Sequence, residues 1–138
     1  MKESGKMAKV KLLNYNASEI KFVNNITKNE TFELTHRCSF NLGFGQNNLC
    51  RGEMKAEVFN KNDPETFSLT VKMVGTFLRE DDSPQDDVHR STYKLLLPHV
   101  RAAITSLSVA ANVPPIFFPD INIDGQSVYM VENPKKST

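Results

Sequence analysis

The chain has no tryptophan, only two cysteines and only six glycines among its 138 residues. Two cysteines do not make a disulfide framework, and no glycine-rich loop that would cradle a phosphate is present. A charge excess of one sign is also lacking. Seventeen Lys and Arg against sixteen Asp and Glu leave +1, so no net field steers the chain onto nucleic acid or anionic lipid. No apolar run approaches the length of a membrane-spanning helix. The opening residues MKESGKMAK contain no apolar core of a secretory signal, so none is expected. What remains is a single globular domain, expected in the cytoplasm, with no nucleic-acid partner and no membrane insertion.

Residues 1–9 are polar and are expected to be disordered. Val10, Leu12, Leu13, Tyr15, Ile20 and Phe22 form a broken apolar pattern, and the phase change at Leu12–Leu13 predicts a bulge in a first strand. The clearest alternation follows. Phe32, Leu34, Cys38, Phe40, Leu42 and Phe44 occupy even positions, opposed by Glu33, Thr35, Arg37, Ser39 and Asn41. Period 2 predicts a strand with one buried and one wet face. After a turn at Gly43–Asn48, the residues Cys50, Gly52, Met54, Ala56 and Val58 continue the pattern. A second turn at Asn60–Pro64 leads to Phe67, Leu69, Val71, Met73, Gly75 and Phe77. A reversal at Asn62–Asp63 sets Val58 opposite Phe67 and Met54 opposite Val71. Residues 10–79 therefore read as a four-stranded antiparallel meander.

Residues 80–92, opening Glu80-Asp81-Asp82-Ser83-Pro84, read as a solvated acidic loop, and a helix is expected near 90–112. Leu96, Val100, Ala103, Ile104, Leu107 and Ala111 form one helical stripe, widened by Leu95, Ala102 and Val109. Pro98 should kink this helix or mark its start, and Asn112 suits its C-terminal cap. The second stripe needs a partner that one sheet and one helix do not supply. Leu95, Ala102 and Val109 are accordingly the expected oligomer interface. Val113 to Ile123 holds three prolines, which exclude helix and central strand, together with Ile116, Phe117, Phe118, Ile121 and Ile123. Such side chains gain roughly 1.5–3 kcal/mol each on burial, so the segment must lie against something apolar. It either fills the core or walls a groove that accepts other chains, and the residues alone leave both open. Residues 125–138 form a polar tail with room for a short helix at most.

Catalytic groups are sparse. His36 and Cys38 share one strand face and could form a Cys–His nucleophile pair or half a metal site. No further ligand spacing appears, which favours two core residues. A small enzyme centred on this pair, or a plain oligomeric scaffold, are the readings of another class. His89 and His99 read as surface or partly satisfied histidines. The acids Glu80, Asp81, Asp82, Asp86 and Asp87 lack the spacing and glycine of a calcium loop. No cofactor and no metal is expected.

Leu97-Pro98-His99-Val100-Arg101-Ala102-Ala103-Ile104-Thr105-Ser106 resembles the start of the long helix in the SecB export chaperones. Val113-Pro114-Pro115-Ile116 through Pro119-Asp120-Ile121-Asn122-Ile123-Asp124 is similar to that family's crossover segment, and Val74-Gly75-Thr76-Phe77 to the end of its fourth strand. The resemblance covers residues 10–124. It implies an α+β fold: four antiparallel strands, a long helix and a proline-rich crossover. It also implies a homotetramer, a dimer of dimers with helices between two sheets, acting as an ATP-independent holdase for unfolded polypeptides. Ile116, Phe117, Phe118, Ile121 and Ile123 become the client-groove residues, and SecA a candidate partner in protein export. Export members are markedly acidic. Here the expected wet strand faces carry Glu33, Glu53 and Glu57 against Arg37, Arg51, Lys55 and Lys72. That balance keeps a toxin–antitoxin setting, with an antitoxin as client, as the alternative to export.

Overall fold

Alternation along three consecutive segments gives three consecutive paired strands. The computed structural model describes residues 7–25, 33–113 and 116–119, and the backbone of 129–131. Strand β1 is Val10–Asn24, β2 Leu34–Phe44, β3 Leu49–Asn60 and β4 Phe67–Arg79; helix α1 is Gln85–Ala110, and a short β5 is Tyr129–Val131. Asn47 and Asn48 both take positive φ (60° and 62°) in the β2–β3 turn, and Leu49 N–H donates to the Gln46 carbonyl. Two successive left-handed residues match the right-handed twist of a hairpin, and asparagine adopts that conformation at little cost.

The four antiparallel strands and the long helix are as expected, but the strand order is not a pure meander. It runs β1-β4-β3-β2-β5. Strands β2, β3 and β4 form the meander, while β1 pairs antiparallel with β4. The two tight hairpins leave only the outer edges of β4 and β2 open to β1, and α1 packs on β4, β1 and β3. Pairing with β4 therefore puts Leu12 and Phe22 beneath or beside the helix. The expected bulge is present between Leu12 and Asn14, and a second, unforeseen one lies between Ala17 and Glu19.

The β3–β4 register also differs from the expectation. Val58 faces Leu69 and Met54 faces Met73, two residues further on than predicted. Asp63 explains the shift. Its side chain accepts from Glu65 N–H at 3.2 Å and from Thr66 Oγ1 at 2.8 Å. This Asp-anchored turn moves the centre of reversal to Asp63–Pro64 and keeps the parity, so both apolar faces still coincide.

The helix begins at Gln85, five residues before the expected start, so residues 85–92 are not a loop. Pro84 precedes it, and Asp86 and Asp87 occupy the first turn, where acids complement the helix dipole. Val88, His89, Ser91 and Thr92, placed by sequence in the solvated loop, are buried. The helix continues through Pro98. Its end is a Schellman turn: Asn112 has φ 61°, its N–H donates to Val109 O, and Val113 N–H donates to Ser108 O.

Residues 7–9, expected to be disordered, are tied down. Ala8 is buried, its N–H donates to Ser91 Oγ at 2.8 Å, and Lys9 N–H donates to Asp81. Residues 129–131 of the expected polar tail form a strand parallel to β2 at Leu42–Phe44, where a short helix at most was expected.

The core lies between the sheet and α1. Phe40, Leu42, Met54, Ala56, Val58, Leu69, Val71 and Phe77 from the sheet meet Val88, Leu96, Val100 and Ile104 from the helix, all essentially without solvent contact. Among the described residues no helix is long and apolar enough to cross a membrane.

Candidate functional site

Beyond the end of α1, the described residues Ile116–Pro119 meet both the sheet and the helix. Ile116 and Phe118 are buried, while Phe117 between them is 72% exposed. Successive side chains of an extended chain point to opposite sides, which is the alternation these three residues show. Phe118 sets its ring edge-to-face against His36 of β2, with centroids 5.7 Å apart. Arg101 of α1 holds the segment from the other side. Its Nε–H donates to the Phe118 carbonyl at 2.7 Å, and its guanidinium sits 4.9 Å from the centre of the Phe117 ring. A cation over an aromatic face is attractive, so Phe117 is displayed on a firm backing. Of the five expected groove residues, Ile116, Phe117 and Phe118 are thus placed. Ile121 and Ile123 lie outside the described residues.

Leu95, Ala102 and Val109 all lie on the solvent side of the helix, Val109 being 62% exposed. Sequence reasoning missed the surface that continues this stripe. His99 stacks on Tyr15 of β1 with ring centroids 4.0 Å apart. An open cleft of about 620 Å³ beside them is lined by Leu12, Leu13, Asn14, Tyr15 and His99. Leu13, Tyr15, Ile20 and Val23 of β1 are exposed as well. The signal was present in the broken pattern of residues 10–23, which reads as a poor strand until its position at the sheet edge is known.

The other polar groups that the sequence singles out lie in packing and local bonds. Burial holds the His36 imidazole below the usual histidine range, and the Cys38 side chain is buried on the same face. Cys38 pairs with Ala56 and Cys50 with Phe44, six residues further along β2. At about 3.3 Å per residue that is roughly 20 Å, far beyond the reach of a disulfide. Burial pushes the Cys50 thiol up, against a smaller opposing pull from Arg79, and a protonated thiol is a poor nucleophile. His89, expected near the surface, is buried within the core. Its Nε2 lies 3.1 Å from the Phe40 carbonyl, which only accepts, so Nε2 carries the hydrogen. The acidic residues 80–87 serve local bonds. Asp81 accepts from Ser83 and Lys9 N–H and is held below the usual carboxylate range, mainly by Ser83. Asp87 pairs with Arg90. Among the described residues no three His, Cys, Asp or Glu side chains converge as a metal site.

On the wet face of the sheet the charges neutralise one another. Glu19 meets Lys21 and Lys72, and Lys72 also reaches Glu53. Glu57 meets Arg37 at 2.8 Å and Lys55 at 4.0 Å. Exposed pairs of this kind contribute little stability, but they give Glu19, Glu53 and Glu57 each a basic neighbour.

No family model matches the sequence. Among solved structures, the chain is similar to the Mycobacterium tuberculosis SecB-like chaperone Rv1957 in complex with a ChAD peptide from the Rv1956 HigA1 antitoxin. The TM-score is 0.58 at 11% identity, over 82% of this chain and 88% of that one. The fold is SecB-like. A protein of unknown function from Streptococcus agalactiae shares it with a TM-score of 0.50 and 12% identity, over 83% of this chain and all of that one. An uncharacterized protein of Methanocaldococcus jannaschii is 26% identical over 102 residues, 58% of this chain. The chain spans 66% of the length of that relative. Ile116–Pro119 is the described part of the segment that the sequence motif likens to the crossover of that family.

Proposed function

We propose that this chain is an ATP-independent holdase that binds non-native polypeptides on apolar surface beside its crossover. It acts by binding rather than catalysis, in the cytoplasm. The observation that carries the reading is Phe117: a large apolar side chain, 72% exposed, backed by Arg101 and next to a buried twin that anchors the segment. A globular chain gains from burying such a group, and an unfolded client offers the apolar surface to do it. The SecB-like neighbour solved with an antitoxin peptide supports a polypeptide partner.

The exposed stripe Leu95, Ala102 and Val109 and the apolar residues of β1 support a homo-oligomer, with the tetramer implied by the sequence motif as the expected state. Multi-angle light scattering should give a tetramer mass, and Leu95→Glu with Val109→Glu should reduce it. A wild-type monomer would contradict this reading.

Two settings compete, export with SecA and protection of an antitoxin. The ion pairs that neutralise Glu19, Glu53 and Glu57 favour the antitoxin setting, because a motor that docks on acidic surface finds these acids already paired. The test of the holdase itself is dilution of a chemically unfolded protein into buffer without nucleotide. Light scattering should fall when a stoichiometric amount of the chain is present. Equal scattering with and without it would refute the reading. Capture of SecA or of a neighbouring antitoxin by the tagged chain separates the two settings.

A further inference from the structure

Several cations of this chain find a carboxylate within it. Arg37 meets Glu57, Arg90 meets Asp87, and Lys72 meets Glu19 and Glu53. Arg101 is different. It is half-buried, its Nε–H donates to the Phe118 carbonyl, and its guanidinium lies over the Phe117 ring. Neither contact supplies a negative charge, and no carboxylate among the described residues pairs with it. Its neighbours one turn away on α1 are Leu97, Pro98, Ile104 and Thr105, none of them acidic. On β2, burial disfavours the proton of His36. Glu57 lies on the opposite face of the sheet, tied to Arg37. Arg79 makes similar contacts, with the Ser83 carbonyl and the Phe44 ring. Phe44 is buried, however, so Arg79 has no displayed apolar neighbour. Only beside Phe117 does an uncompensated guanidinium among the described residues adjoin a ring that is 72% exposed.

We infer that Arg101 makes the crossover selective for apolar segments that carry an acidic residue: Phe117 takes the apolar side chain and the Arg101 guanidinium takes the carboxylate beside it. The inference rests on the proposed holdase reading and names its class of client. A guanidinium presents its N–H donors in a fixed fork. With Nε committed to the Phe118 carbonyl, the end that carries Nη1 and Nη2 is left to grip a carboxylate through two parallel bonds. The backbone bond and the ring hold that fork in place before a client arrives, so little side-chain freedom is lost on binding. A client laid over Phe117 displaces water from around the charge. That strengthens an ion pair formed there and penalises a guanidinium left without one. Apolar contact thus supplies affinity, and the cation sorts clients by the residue next to the contact.

Three fluorescent peptides test this, alike except at one central position that holds glutamate, glutamine or lysine within a run of leucine and serine. Anisotropy at low salt should rank them in that order, tightest first. The glutamate peptide should bind about five-fold tighter than the glutamine one, the upper range for a partly exposed ion pair. Arg101→Met keeps the stem but removes the charge and the donors, and should make the three peptides bind alike. Arg101→Lys should keep the order with a smaller ratio. A merely structural loss weakens all three peptides together and leaves the ratio unmoved. Should Arg101→Met lose helical circular dichroism, the wild type and Arg101→Lys decide by the same ratio. Equal binding of the glutamate and glutamine peptides by the wild type overturns the inference, as does a preference that survives in folded Arg101→Met. A wild type that holds an unfolded protein but ignores the central residue removes the selectivity and leaves the holdase. A wild type that binds no peptide and holds no unfolded protein removes the holdase itself.

Discussion

Strands β1 and β4 are hydrogen-bonded neighbours, yet one is sealed and the other is open. Ile20 and Val71 face each other across that pair. Val71 has no solvent contact, whereas Ile20 is 47% exposed. Sequence alternation is not the cause, because both residues belong to the apolar set of their strand. Width is. A helix with its side chains is roughly 10–12 Å across, and strands lie about 4.8 Å apart, so one helix covers two to three strands of four. The helix here takes β4, with parts of β3 and β1. At the far side the crossover plants Phe118 on β2 at His36. The outer part of β1 and the outer stripe of α1 are left over, and this uncovered surface is what a larger assembly or a client can use.

The comparison is broken most forcefully at its sealed side. Phe77→Ala should destabilise the chain by about 3–5 kcal/mol, read by urea unfolding. Ile20→Ala should cost under about 1 kcal/mol in the dissociated chain. A large cost at Ile20 in a monomer would mean that β1 is covered after all. Next is Gly52, where an added Cβ would meet the Phe40 ring at 2.8 Å. Gly52→Ala should cost about 1–3 kcal/mol by overpacking, and Phe40→Leu in the same chain should recover part of it, a coupling that a double-mutant cycle measures.

Smaller effects sharpen the end of the helix and the seat of the crossover. Asn112→Ala at φ 61° should cost about 1–2 kcal/mol, while Asn112→Gly should be neutral or better in thermal unfolding. His36 is held below its ordinary value by burial, so the folded state disfavours its proton more than the unfolded state does. The resulting penalty is absent well above the unfolded value of 6.5 and develops as pH falls through it towards the folded value. His36→Gln should make the loss of stability on acidification shallower; an unchanged slope would show that His36 does not sense the buried seat of Phe118.

Much of the fold was legible because period 2 and turn chemistry act locally. Strands β2, β3 and β4, the bulge at Leu12–Leu13 and the Asn112 cap all follow from neighbours in the chain. What was hidden depended on distant partners. Parity says which face of β1 is apolar but not which strand it joins. The first helical turns were obscured because acids that complement the dipole, Asp86 and Asp87, look like a loop, and because the buried positions include His89, Ser91 and Thr92. The polar groups among these are satisfied: Thr92 Oγ1 bonds the Val88 carbonyl at 2.8 Å. At the site, the motif pointed to the crossover, but two adjacent phenylalanines left their roles open. The structure separates them by burial, Phe118 inside and Phe117 outside.

The central claim is that the displayed face of the crossover holds unfolded chains. Titration of a fluorescent, permanently unfolded polypeptide, without nucleotide, against the wild type and Phe117→Ser tests it most directly, with the assembly mass recorded for both. The account predicts tight binding by the wild type and markedly weaker binding by the variant at the same mass. Equal affinity in the two proteins would contradict it.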